Sequence, residues 1–434
     1  MSKQLFGKSC CVGAAVLCHF VSGPLIAFIQ SMPRRLPPVY SPLPPFPQFI
    51  RSRNASDAAM DLAVRAITAR YPNYEVAFFD SGTSALQMAV RAALADADRG
   101  RPPVVAVPAW ACPDLGTAVL GAGARLALFD LIVDTLEPEH VSVQRALEMG
   151  ARVVIVPHFF GRLADIPSIV RLAAQYGATV IEDAAQHAGG RRGGQVGGAL
   201  GDLSVLSFGR GKGLNAGGGG ALLRRRGAAL PPMAPSPGGV AALSLKQLAA
   251  VWATDWLSHP NRFILPFSIP WLRLGETVYH EPQAIGAMPQ LSLHLLAWAL
   301  EDEARQLRVR RGNEAWYQQA LAGFPRALIT PVGSLHESGA LRVPIRIPSS
   351  VANGPTVAAM RALGVVRSYP RTLPQYEPIR AACVNGEESF AGAESLASSL
   401  FTLPTHEHVT PQDREKIVEL LRVVLRRSAD TDRP

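Results

Sequence analysis

Val180-Ile181-Glu182-Asp183-Ala184-Ala185-Gln186 decides the reading of this chain, together with Ser207-Phe208-Gly209-Arg210-Gly211-Lys212 further on. Asp183 closes an apolar run, which puts a carboxylate at the exit of a buried strand. Lys212 follows a second apolar run, Leu203 to Phe208, and is the only lysine between Lys8 and Lys246. An acid and an amine delivered by the ends of two strands, 29 positions apart, point to a shared site at one edge of a sheet.

Working outward, the pattern alternates. Strands are expected at Glu75 to Phe79, Val104 to Val107, Arg125 to Phe129, Val153 to Val156 and Thr179 to Glu182. Helices are expected at Asp57 to Ala69, Ser84 to Ala95, Asp114 to Leu120 and Ile166 to Tyr176. Such alternation predicts an α/β fold with a mostly parallel central sheet sandwiched by helices. Ligands of these sheets gather at the carboxyl ends of the strands, where Ser81, Asp183 and Ser207 all fall. Residues 227–288 break the rhythm with Pro231, Pro232, Pro235 and Pro237, then Trp252, Trp256 and Trp271, and read as an insertion. A long helix from Gln290, a strand over Leu341 to Ile347, and helices at Thr356 to Leu363, Ala391 to Ser398 and Pro411 to Leu425 predict a smaller α+β domain. The expected division is an N-terminal segment over 1–50, a large domain over 51–288 and a small domain over 289–434.

With 48% hydrophobic and 18% charged residues, the composition is that of a globular protein rather than a disordered one. The net charge is +9, and residues 203–254 hold no Asp or Glu while carrying Arg210, Lys212, Arg224, Arg225, Arg226 and Lys246. This basic stretch predicts an anionic small ligand. It shows no repeating stripe with interleaved aromatics, which argues against nucleic acid. The five cysteines include no C-x-x-C pair and form neither a disulfide framework nor a zinc site; a reducing cytoplasm fits them. Residues 9–33 carry no formal charge and are long enough to span a bilayer. They are read as a dispensable extension, a membrane-associated segment or a packed helix. Seven prolines within 33–48 read as an extended linker.

Ser81-Gly82-Thr83-Ser84 opens a helix directly after a strand, where glycine admits a close ligand and the helix N-terminus favours an anion. Nucleotide motifs fail. A Walker loop would need glycine at Leu206 and Ser or Thr at Gly213. Gly211-Lys212-Gly213-Leu214-Asn215-Ala216 leads into Gly217 to Gly220 instead of a helix. A lysine that can form a Schiff base, a carboxylate that can keep a pyridine nitrogen protonated and a phosphate cradle together suit pyridoxal phosphate.

With these blocks in place, the chain resembles the DegT/DnrJ/StrS-type sugar aminotransferases, pyridoxal-phosphate enzymes of fold type I. The resemblance runs over roughly residues 55–425. It is carried by Ser81-Gly82-Thr83-Ser84-Ala85-Leu86, Val107-Pro108 with Gly123-Ala124, Glu182 to Gln186, Ser207-Phe208 with Lys212 and Gly219-Gly220, then Ala393-Glu394 and Leu403-Pro404. It implies Lys212 as Schiff-base lysine and proton shuttle, and Asp183 on the pyridinium nitrogen. It implies Gln186 on the phenolic oxygen, with Gly82, Thr83 and Ser207 on the phosphate. It further implies a homodimer with the active site at its interface, and amino transfer from an amino acid such as glutamate to a keto-sugar nucleotide. Two features depart from the pattern. Cys112 occupies the usual ring-stacking position, so Trp110 becomes the stacking candidate, and no asparagine-aromatic-arginine run occurs near Ala284 to Met288. Arg367, Tyr369 and Arg371 are candidate substrate contacts. A dehydratase or eliminase, and a non-catalytic relative that binds cofactor or sugar nucleotide, remain alternatives.

Overall fold

Seven strands share one sheet, and six of them run the same way. β1 (Tyr74–Phe79), β2 (Val104–Pro108), β3 (Arg125–Phe129), β4 (Ala151–Pro157) and β5 (Thr179–Asp183) are followed by a small hairpin, β6 (Arg191–Arg192) and β7 (Gln195–Val196). Then come β8 (Leu203–Ser207) and β9 (Gly220–Arg225). The order is β1-β9-β8-β5-β4-β2-β3; β9 alone runs antiparallel to both its neighbours. The computed structural model describes residues 34–44, 56–96, 101–230, 245–269, 276–324, 327–328, 337–350, 352 and 354–431. The uncharged run 9–33, the prolines of 231–237 and Trp271 lie outside these.

The parallel strands are short apolar runs, such as Val153 to Val156, because helices cover both faces and both sides of each strand must be apolar. Ile166–Ala174 and Gly82–Ala93 appear where expected, with Asp165 and Ser81 as caps. Several elements escape local pattern reading, and two of them bear on the large sheet. One is the helix His140–Glu148, capped by Glu139, whose carboxylate accepts the Ser142 amide at 2.9 Å. The other is β9. Its two arginines, with Arg226 directly after, suggest a basic patch, yet Arg224 pairs with Glu75, its cross-strand partner, at 2.9 Å, and Arg225 with Asp202 at 3.0 Å. The basic stretch is therefore in part an interior strand whose arginines are held by ion pairs.

A second, antiparallel sheet of three strands follows: β10 (Arg342–Arg346), β11 (Val366–Arg367) and β12 (Leu400–Pro404), in the order β10-β12-β11. Its core gathers Val343, Ile345, Phe401, Leu403, Ile417 and Leu421. One helix, Gln290–Ala320, joins the two cores. Leu291, Leu295 and Leu296 pack beneath the large sheet, while Tyr317 at its other end packs into the small one. Residues 34–44 also belong to the body of the fold. Leu36 is buried in the small core and Ser41 is buried beside Lys212, so for these residues the linker reading is corrected.

The start of β9 meets the start of the first sheet-covering helix. A Cβ on Gly220 would fall 2.6 Å from the Gly82 amide nitrogen and 2.6 Å from the Ser81 carbonyl oxygen, both backbone atoms that cannot rotate away. Gly220→Ala should cost about 1–3 kcal/mol, measured as a lowered urea midpoint at unchanged m-value.

Candidate active site

The carboxyl ends of β1, β5 and β8 bring Ser81, Asp183 and Ser207 to one edge, around a cavity of about 260 Å³. Of the residues expected there, Gly82, Thr83, Asp183, Gln186, Ser207, Lys212 and Tyr369 line it. Trp110, Arg367 and Arg371 do not. Cys112, at the usual ring-stacking position for which Trp110 was the preferred candidate, lines it as well, and Asp114 and His158 do so without having been expected.

On the phosphate-like side, Ser81 is extended and its hydroxyl accepts the Ser84 amide at 3.0 Å, which starts the helix Gly82–Ala93. The amides of Gly82 and Thr83 have no acceptor among the described residues, as the first turn of a helix dictates. Glycine is required at 82: a Cβ there would lie 2.7 Å from the Ser207 Cβ. Two free amides, a helix N-terminus and the Ser207 hydroxyl form a cradle suited to an anion.

Glu182 and Asp183 are neighbours on β5 with opposite environments. Glu182 has no exposed surface and accepts five hydrogen bonds. These come from the amides of Gly198 (2.6 Å), Leu200 (2.9 Å) and Gly201 (3.0 Å), the Ser204 hydroxyl (2.8 Å) and His158 Nε2 (2.8 Å). The Ala164 amide donates to His158 Nδ1 at 3.1 Å, which leaves Nε2 as the nitrogen that carries the proton towards Glu182. Burial alone would raise the Glu182 pKa, but the hydrogen bonds from His158, Gly198 and Ser204 hold it below the ordinary glutamate value. Asp183 accepts only the Ala185 amide, at 3.0 Å, among the described residues. Burial pushes its pKa up, against the pull of that amide and of the Lys212 charge. A carboxylate so undersupplied gains from any cation or N–H donor that enters the cavity.

Gln186 bridges the opposite wall. Its amide nitrogen donates to the Tyr369 hydroxyl at 2.6 Å, and its carbonyl oxygen accepts the Phe160 amide at 3.2 Å. Tyr369 holds φ +44° in the left-handed region, a strained conformation for a bulky residue. Burial keeps its phenol protonated by pushing the pKa up. Trp110, expected to stack on a ring, stands behind this wall. It is fully buried, its indole N–H donates to the Tyr369 carbonyl at 2.9 Å, and its ring packs on Phe159 and Tyr369 at 5.2 Å each. The cavity-facing positions are Ala111, Cys112 and Phe159. Arg367 and Arg371 lie over the rings of Phe401 and Tyr376, at 5.1 and 5.9 Å. The position of His158, one residue past β4, was the available sign that it belonged to the site, by the same strand-end rule that located Asp183.

These groups fit pyridoxal phosphate: an anion cradle, an undersupplied carboxylate, a lysine and an amide donor border one cavity. The chain belongs to the DegT/DnrJ/EryC1/StrS aminotransferase family, whose profile matches residues 67–230 and 286–422. The profile leaves residues 231–285, within the stretch read as an insertion, unmatched. Over 138 residues the chain is 34% identical to a UDP-N-acetyl-3-dehydro-alpha-D-glucosamine 3-aminotransferase of Acidithiobacillus ferrooxidans, covering 32% of this chain and 36% of that one. It is 29% identical over 134 residues to a dTDP-4-dehydro-2,3,6-trideoxy-D-glucose 4-aminotransferase of Saccharopolyspora spinosa, covering 31% and 34%. The alignments thus span about a third of these relatives. A sugar aminotransferase from Micromonospora echinospora has the same fold, with TM-score 0.66 at 20% identity over 90% of this chain and 99% of that one. The architecture is that of the pyridoxal-phosphate sugar aminotransferases.

The Glu182 network sets a pH dependence. Its folded pKa is depressed, so its contribution is present above the unfolded value near 4.5 and is lost as pH falls through the folded value. Glu182→Gln places an NH₂ among five donors and should cost about 3 kcal/mol at neutral pH. The difference from the unsubstituted protein should shrink on acidification, as read by denaturant titrations at stepped pH.

Proposed function

We propose that this protein transfers an amino group from an amino acid, glutamate in the first instance, to a keto-sugar nucleotide, with pyridoxal phosphate as cofactor, in amino-sugar or polysaccharide biosynthesis. The observation that carries the reading is the undersupplied Asp183 carboxylate sharing a cavity with Lys212 and with the free amides of Gly82 and Thr83. Its relatives' names point to sugar substrates.

The amides of Gly82 and Thr83 and the Ser207 hydroxyl would hold the phosphate, with the helix dipole adding to their donors. Asp183 would face the ring nitrogen, and its own raised pKa eases as it takes on that partner. Bound pyridoxal phosphate would supply an electron-accepting ring and a carrier for nitrogen between the two halves of the exchange. The Lys212 amine would take the proton from the substrate carbon that carries nitrogen and return it on the other side, general acid–base work worth typically 10²–10⁴-fold. Gln186 keeps one N–H for the cofactor's phenolic oxygen while the other is engaged by Tyr369. Tyr369, its phenol held protonated, would present an O–H to substrate. A cavity of about 260 Å³ accommodates the cofactor and the reacting end of a sugar, so the nucleotide would lie outside, where a second subunit of a homodimer would meet it. Cys112 and Cys383 are both free thiols, which suits a reducing, cytoplasmic setting. Among the described residues no helix is long and apolar enough to cross a membrane.

Supplied with pyridoxal phosphate, the purified protein should show a visible absorption band that moves towards the near-ultraviolet when glutamate is added. Lys212→Ala should abolish the band and slow the glutamate-driven change by at least about 10²-fold. A wild-type protein that takes up no cofactor in excess would refute this reading. A band indifferent to glutamate would instead favour another donor or an elimination reaction.

A further inference from the structure

The lysine loop is held from outside by a segment the family profile does not reach. Ser41, 3% exposed, donates from its hydroxyl to the Lys212 carbonyl at 2.8 Å. In return, the Asn215 side chain donates to the Ser41 carbonyl at 2.8 Å, while its oxygen accepts the Gly217 amide at 3.0 Å. Backbone and side chain of one serine are thus locked to both limbs of the turn that carries Lys212. The turn needs such support. Its own backbone supplies the Lys212 amide with the Gly209 carbonyl at 3.2 Å, and Gly211 adopts φ +81°. The Lys212 carbonyl has no acceptor role in either flanking strand.

The other end of the strap is anchored in the second core. Leu36 is 1% exposed there. Arg34 pairs with Asp413 at 2.9 Å and donates to the His408 carbonyl at 2.7 Å. His406 Nε2 donates to the Pro37 carbonyl at 2.9 Å. Between the anchors lie Pro37 and Pro38, with Pro42 and Pro44 just beyond Ser41. Proline fixes φ, and a proline after Ser41 keeps that serine extended. A strap of this composition is semi-rigid and transmits position where a glycine-rich tether would not.

We propose that residues 34–44 are a positioning element for the reacting lysine, and that Ser41 is the positioning residue through which they act on the Lys212 backbone. The functional half of this inference rests on the reading of Lys212 given above. The structural half does not.

Hydrogen–deuterium exchange on the full chain tests the structural half without cofactor. Ser41→Ala should speed exchange of the amides in 209–216 about tenfold, the effect of losing one buried hydrogen bond, with β4 unchanged as the internal reference. If Ser41→Ala fails to fold, Asn215→Ala removes the reciprocal bond and should loosen both the turn and residues 39–43. Wild-type exchange in 209–216 in a folded variant overturns the proposal. With pyridoxal phosphate bound, Ser41→Ala should shift the pH midpoint of the visible band and slow its response to glutamate about tenfold. Ser41→Thr, which keeps the hydroxyl, should restore both. A Ser41→Ala protein with wild-type midpoint and rate overturns the proposal even if its loop exchanges faster. If the wild-type protein shows no band at all, the aminotransferase reading fails, while the exchange result still decides whether the strap holds the loop.

Discussion

An ionised carboxylate with no solvent contact survives only where its lone pairs are fully met, and the site is organised around one that is. Five donors on Glu182 come from β4's exit, from the turn before β8 and from β8 itself. They fix the separation and register of three adjacent strand ends. Side chains alternate along a strand, so fixing Glu182 inwards on one face fixes Asp183 on the other. The stability of the network and the placement of Asp183 are therefore one constraint. Leaving any of those donors unmet would cost about 1–3 kcal/mol each, which makes rearrangement of this corner a global event.

Strain is held elsewhere too, at Tyr369 on the cavity and at three positions outside its lining. Phe160, Ala188, Ala340 and Tyr369 all hold positive φ without being glycine. Each is held by neighbours: Trp110 donates to the Tyr369 carbonyl, Arg310 to the Ala188 carbonyl at 3.1 Å, the Leu341 amide to the Phe160 carbonyl at 3.0 Å, and the Thr405 hydroxyl to the Ala340 carbonyl at 2.6 Å. Arg310 is 1% exposed, and burial lowers its pKa to about 10. Gly213, next to the lysine, leaves no room for a Cβ beside the Ala188 backbone, which would lie at 2.4 Å. The buried arginine, the strained alanine and the lysine turn are thus in series, and the long helix Gln290–Ala320 is the support for all three.

Much of this was legible in the sequence because it is local. Apolar runs marked the parallel strands, and the residues just past them marked the edge where Asp183, Ser207 and Lys212 meet. What escaped is non-local. β9 is disguised by Arg224 and Arg225, whose partners Glu75 and Asp202 lie elsewhere in the chain, so that a strand reads as a charged patch. Trp110 and Cys112 are two positions apart after β2, and no pattern tells which of them faces the cavity once the chain has left the strand. The proline-rich segment has the composition of a linker, and its role depends on Ser41 meeting a loop 171 positions away. Glu182 and His158 were within view, but only their contacts show that Glu182 is met by five donors and its neighbour Asp183 by a single amide among the described residues.

The antiparallel course of β9 bears on the length of the connection that carries the lysine. Since β8 and β9 are hydrogen-bonded neighbours, the stretch between Ser207 and Gly220 is a hairpin connection with both ends clamped. The entropy of closing such a loop grows only with the logarithm of its length, about 0.6 kcal/mol per doubling. Residues gained or lost after Lys212 would leave the spacing from Ser207 to the lysine intact, with phosphate cradle and amine still in step. Contacts, however, oppose such changes: Leu214, Asn215 and Ala216 are buried and Gly213 is pressed against Ala188, so the length of this connection is set by packing and not by closure entropy.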